Sequence, residues 1–213
     1  MVGIASGLFL LMGLVLASPE ARGDDSPIAR PEVREGDRWI YRRMDYAGRR
    51  STGEYELRVT FARPKAIVAV STDLAKKTEA DTTWTTDWNV VVAPSGDMYA
   101  PDAQTFRFPL SPGATWPSVF EMRRPHARGF HMRFERTARA LGWETLAVPG
   151  GSFRALRVEI EGPWQRLDLG SSGRSRTTMW YAPEVKRWVK YEYRDERTGS
   201  HFGEELVRFV PAP

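Results

Sequence analysis

Residues 176–194, RTTMWYAPEVKRWVKYEYR, carry Trp180, Tyr181, Trp188, Tyr191 and Tyr193 within fourteen positions. No helix of that length hides so many rings on one stripe, whereas a pleated sheet gives alternate rings their own face. The β-rich runs 177–182 and 187–194 flank the turn-forming residues 183–186, Pro-Glu-Val-Lys, so the stretch reads as a β-hairpin. A chain built around such a hairpin must supply further strands to cover it.

The rest of the sequence does so. Residues 37–46 alternate Trp39, Tyr41 and Arg43 with Ile40, Arg42 and Met44. Residues 54–61 set Tyr55, Leu57, Val59 and Phe61 against Glu54, Glu56, Arg58 and Thr60, the cleanest period-two pattern in the chain. Residues 65–72 form a more continuously apolar strand, 73–82 a polar loop or short helical turn, and 83–92 a strand with Trp84, Thr86, Trp88 and Val90 in phase. Met98 and Tyr99 end a short strand, and the prolines in 106–116 exclude a central strand there. Residues 119–124 and 128–140 read as strands, Phe130, Met132 and Phe134 facing one way and His131, Arg133 and Glu135 the other. Gly142 is read as a turn into 143–148, followed by 153–161, the 176–194 hairpin and 203–210. With turn signals roughly every eight to fifteen residues and no well-capped helix, this predicts one mainly β domain over 36–211. It is a strongly curved antiparallel sheet, a half-barrel or barrel of about ten strands.

Ahead of that domain, residues 2–17 are apolar and uncharged, ending Val15-Leu16-Ala17, and the polar stretch 18–26 follows. This is the pattern of a secretory signal peptide over 1–17, with 18–35 as a flexible linker. The apolar run, about sixteen residues, falls short of the roughly twenty that span a bilayer, so no stable membrane span is expected after processing. The 213-residue chain has no cysteine, which excludes disulfides, thiol catalysis, thiolate metal sites and a lipid-modified cysteine. The expected location is periplasmic or secreted.

Three segments carry a resemblance. Residues 108–116, FPLSPGATW, look like PL-x-x-G-x-x-W, and 141–156, LGWETLAVPGGSFRAL, like G-x-E-x-x-x-V-P-x-G-x-F-x-A. Residues 180–190, WYAPEVKRWVK, look like W-Y-x-P-x-V-x-x-x-V-K. In that order, over about residues 105–210, they resemble the TapB-like family of exported bacterial proteins of unknown function. The resemblance implies a curved antiparallel sheet akin to lipoprotein-carrier half-barrels, and it carries over no catalytic residue.

The residues offer little conventional chemistry. His126 and His201 lie in turns and His131 on a polar strand face, there is no G-x-S-x-G elbow, and no pair of histidines has ligand spacing. Glu159 and Glu161 share a strand face but alternate with Arg157, as an ion-paired surface does. No catalytic residue, metal site or cofactor is expected. The formal charge is +4, and with lysine only at 65, 76, 77, 186 and 190 arginine supplies most of the 31 basic residues. Arg123, Arg124, Arg128 and Arg133 head the most basic stretch, a candidate anion-binding surface. Nucleic acid is an unsuitable partner for an exported chain.

The aromatics carry the functional reading. A curved sheet presents a concave apolar face, with Trp39, Trp88, Trp180, Tyr181 and Trp188 as its expected wall. The expected function is a non-enzymatic binding or scaffold module for a lipid, another amphiphile or an envelope protein. The alternatives are a structural component of the envelope or a secretion apparatus using the basic surface, and, at lowest weight, a hydrolase.

Overall fold

The computed structural model describes residues 26–213; the expected signal peptide over 1–17 lies outside the described residues. Twelve strands follow in order. The first four are β1 (Arg38–Asp45), β2 (Arg50–Arg63), β3 (Ala66–Asp73) and β4 (Glu79–Trp84). Two short ones, β5 (Val90–Val92) and β6 (Met98–Ala100), lead to β7 (Thr115–Arg123) and the long pair β8 (His131–Val148) and β9 (Gly151–Arg166). Last come β10 (Ser171–Ala182), β11 (Arg187–Asp195) and β12 (His201–Val210).

Each strand pairs with its sequence neighbours, and β1 pairs antiparallel with both β2 and β12, so the sheet closes on itself as an up-and-down barrel. Closure leaves no free sheet edge. The expectation of about ten strands in a half-barrel or barrel is thus corrected to twelve in a closed barrel. Two local features depart from the expectation, the first adding a strand and the second merging two. The polar stretch after Asp73 forms β4, with Thr82 fully buried and its hydroxyl donating to the Val92 carbonyl at 2.7 Å. Gly142 does not turn the chain: it sits at a bulge after Ala140, so β8 runs on through it. Further bulges place an extra residue in β2 at Thr52 and Thr60, in β5 at Val91, in β11 at Val189 and in β12 at Val207, and each adds the local bend and twist that a closed sheet requires.

The ring-rich hairpin is the anchor of one end. Pro183–Val185 makes a single 3-10 turn, and Lys186 takes a left-handed conformation at φ 60°. Three buried rings from elsewhere donate to its carbonyls: Trp39 Nε1 to Val185 at 2.8 Å, Trp88 Nε1 to Lys186 at 2.8 Å and Tyr41 Oη to Trp188 at 2.6 Å. Lys186 Nζ reaches the fully buried Asp37 at 2.9 Å, which also accepts from the Arg34 and Ala212 amides. The segment over 101–114 closes the same end. Asn89 holds Phe106 by two backbone bonds of 2.8 and 3.1 Å, and Phe106 stacks on Trp188. Within the stretch expected as a linker, Ile28 forms a β-bridge with Leu110.

Two glycines mark close approaches. A Cβ on Gly150, in the Val-Pro-Gly-Gly turn, would stand 3.1 Å from the Leu206 and Val207 carbonyls, where that turn docks on β12. At Gly162, φ is +154° and a Cβ would lie 2.6 Å from the Glu135 carbonyl, so β9 can press against β8 beside Arg136.

Candidate functional site

An eight-stranded barrel is just filled by its own side chains, and a wider one leaves room inside. Twelve strands here enclose rings at the closed end and an open cavity of about 750 Å³ above them. Its floor is Leu57, Trp84, Trp88 and Trp188, and its walls are Met179, Phe120, Met122, Phe134 and Met132. The mouth lies at the opposite end, among Pro94, Ser95, Asp97, Arg124 and Phe130 from the β5–β6 and β7–β8 turns. The surface is aromatic and sulfur-rich.

Tyrosines ring the mid-height. Tyr55 Oη donates to Glu204 at 2.6 Å, and Trp188 Nε1 donates to the other oxygen of the same carboxylate at 2.7 Å. Burial raises the phenol pKa of Tyr99 and Tyr193 to about 12 each, so these hydroxyls stay neutral donors.

Two guanidiniums face this lumen. Arg187, at the floor, is 1 % exposed and stands among the rings of Trp39, Tyr41, Trp84, Trp88 and Trp188, the nearest centroid 3.8 Å away. Arg136, higher on β8, lies over Phe120 and Phe134 and reaches only the hydroxyls of Thr177 and Ser118, at 3.3 and 3.5 Å. Burial lowers its pKa to about 10. Nε of both arginines, Nη1 of Arg187 and the Trp84 indole N–H meet no hydrogen-bond acceptor. An aromatic face offsets a buried cation by roughly 0.5–2 kcal/mol, against a desolvation penalty of several kcal/mol for an unpaired ion. The rings therefore compensate the charges only in part.

The other charges at the cavity are paired. Arg124 makes a bidentate bond with Asp97 at 2.7 and 2.9 Å, which holds that carboxyl below the usual range, and Arg43 binds Asp73 at 2.8 Å.

Of the residues expected to form an apolar wall, Trp88 and Trp188 line the cavity, while Trp39 and Tyr181 are packed in the core below it. Trp180 lies on the outer face, its indole donating to Glu144 at 2.8 Å and its ring beside Arg157 and Lys190. Of the expected anion-binding arginines, Arg124 is at the mouth and Arg128 on the exposed turn beside it. Arg123 and Arg133 point outward and pair with Glu121 and Glu135. Sequence reasoning did not single out Arg187, Glu204 or Tyr55 as site residues, and Arg136 entered it only as a later member of the basic stretch, not as a luminal residue. For Arg136 the signal was present: two positions beyond Phe134, it continues the apolar phase of β8.

The outer wall is ionic. Glu161 bridges Arg139 at 3.0 Å and Arg176 at 2.8 Å, which lowers its pKa, and Arg157 pairs with Glu144 and Glu159. A lipid-facing barrel wall would lose roughly 2–4 kcal/mol for each arginine near the bilayer midplane, so this wall is built for water. The histidines lie apart, His131 on Glu121 at 2.7 Å, His201 near Glu192 at 3.5 Å and His126 exposed. Among the described residues no cluster has the make-up of a metal site.

No family model matches the chain, and no curated protein matches it by sequence. Its backbone is similar to that of an exported protein with a YmcC-like fold from Bacteroides fragilis, with a TM-score of 0.56 and 18% identity over 86% of this chain and 99% of that one. It is also similar to a lipoprotein from Parabacteroides distasonis, with a TM-score of 0.52 and 11% identity over 86% and 97% of the two chains. At these identities the likeness is one of fold.

Proposed function

We propose that this barrel is an exported, non-enzymatic binding protein whose lumen holds a hydrophobic or amphiphilic ligand. The observation that carries the reading is the cavity of about 750 Å³, walled by Phe, Met and Trp and open at one end. Small-ligand pockets typically measure about 300–1,000 Å³ and combine apolar walls with a few polar groups, and the lumen has that make-up. The rim adds exposed apolar residues, Leu167, Leu169 and Phe202, and the β7–β8 turn adds the exposed Arg128. Such a rim suits contact with an anionic, amphiphilic surface from which a ligand is collected. An extracytoplasmic location fits this role.

The test is a titration with the neutral fluorophore N-phenyl-1-naphthylamine. The expected result is saturable enhancement at one site per chain, abolished by Val90→Trp, which fills the lumen from β5. Absence of binding, or equal binding to the filled variant, contradicts the proposal.

A further inference from the structure

The lumen contains more positive charge than it neutralises. Its own carboxylate, Glu204, already accepts from Tyr55 and Trp188, and no carboxylate comes within 4.0 Å of Arg136 or Arg187 among the described residues. Even if Glu204 is counted against one of them, the other guanidinium has no counter-charge. Stacked rings act on the faces of a guanidinium, whereas its hydrogen-bonding capacity lies in its plane, and that plane is where Arg187 Nε and Nη1 lack acceptors. A purely apolar ligand would leave the guanidinium without a counter-charge.

We infer that the ligand is an anionic amphiphile whose carboxylate or phosphate is taken inside the barrel, to the guanidiniums of Arg136 and Arg187. Its chain then lies along Phe120, Met122, Phe134 and Met179 toward the mouth. This rests on the lumen being a ligand chamber, as proposed above. The geometry favours it over a head group left at the rim, because Arg124, the arginine at the mouth, is already occupied by Asp97 through both carboxylate oxygens. An anion supplies what the interior lacks: a charge to match the surplus, and acceptors for planar forked donors.

The test is displacement of N-phenyl-1-naphthylamine by matched twelve-carbon ligands at pH 8: dodecanoate, dodecyl phosphate and dodecanol. The expected result is that at least one anion displaces the probe at a concentration at least tenfold lower than the alcohol does. Arg187→Gln and Arg136→Gln should each shrink that ratio severalfold. Acetate and inorganic phosphate, which carry the same anionic groups without a chain, should not displace the probe.

Equal potency of anion and alcohol on the intact protein overturns the inference while leaving the binding chamber standing; failure of every ligand and of the probe itself removes both. Displacement by acetate or inorganic phosphate as strong as by the long chains would show a small-anion site and overturn the amphiphile. An undiminished anion preference in both glutamine variants would move the anion away from these arginines. The comparison on the intact protein needs no variant, so a variant that fails to fold does not rescue the claim.

Discussion

At the closed end the lumen is filled by Trp39, Tyr41, Phe106 and Leu110, and every indole or phenol donor that reaches the hairpin turn has a carbonyl to bond. Toward the mouth the same twelve strands enclose empty volume, and the guanidiniums that face it keep nitrogens without acceptors, Arg136 Nε and Arg187 Nε and Nη1. One half has the satisfied, close-packed character of a folding core. The other carries unspent hydrogen-bonding capacity, which in a native interior is a mark of function rather than of stability. Under the proposed function, the lower half anchors the fold and the upper half receives the ligand.

Removing a ring from each half should separate them most sharply. Trp39→Ala, which deletes a fully buried ring and its bond to Val185, should cost about 3–5 kcal/mol in urea unfolding. Phe120→Ala, facing space that already exists, should cost only about 1–2 kcal/mol, because fewer partner atoms are lost on the cavity side. Equal losses would erase the distinction. Gly162→Ala comes next, with an expected cost of about 1–3 kcal/mol, since its Cβ would enter the β8 backbone at Glu135 and Arg136. It should also weaken binding of dodecanoate, where a substitution in the closed half at equal stability does not.

The mouth has its own pH dependence. The Asp97 pKa is depressed, chiefly by its bond to Arg124. Its contribution is therefore present above the unfolded aspartate value near 3.8 and lost as pH falls through the lower folded value. At pH 7 Asp97→Asn should lower stability by about 1 kcal/mol, and the gap from the unsubstituted protein should narrow steadily as pH falls below 3.8. A gap independent of pH would show that the pair does not hold the mouth. Smallest of all, Trp180→Ala on the outer face should cost no more than about 1 kcal/mol and leave probe binding unchanged.

Period-two patterning made much of the barrel legible, because a one-residue shift would turn Tyr55, Leu57 and Val59 out into water. It failed where bulges broke the phase. The bulge after Ala140 made one long strand look like two, and the extra residue Val189 on β11 obscures the phase of the hairpin. Adjacent residues on a strand face opposite ways, so Trp180 and Tyr181 belong to different faces and could not share one wall. On β11 the consecutive residues Arg187, Trp188 and Val189 are all buried, so no alternation marks Arg187 as luminal. Closure was harder still to read: it depends on β1 meeting β12, a pairing across nearly the whole chain for which local pattern holds no signal. The anion-binding expectation followed runs of arginine in sequence, whereas the two guanidiniums without counter-charges stand 51 residues apart, one on β8 and one on β11.

The most direct measurement is a crystal structure of the processed protein grown with dodecanoate. Density for one chain inside the barrel, with its carboxylate within about 3 Å of an Arg136 or Arg187 nitrogen, is the predicted result. A lumen filled by its own side chains, or dodecanoate bound only on the outer wall, would contradict the account.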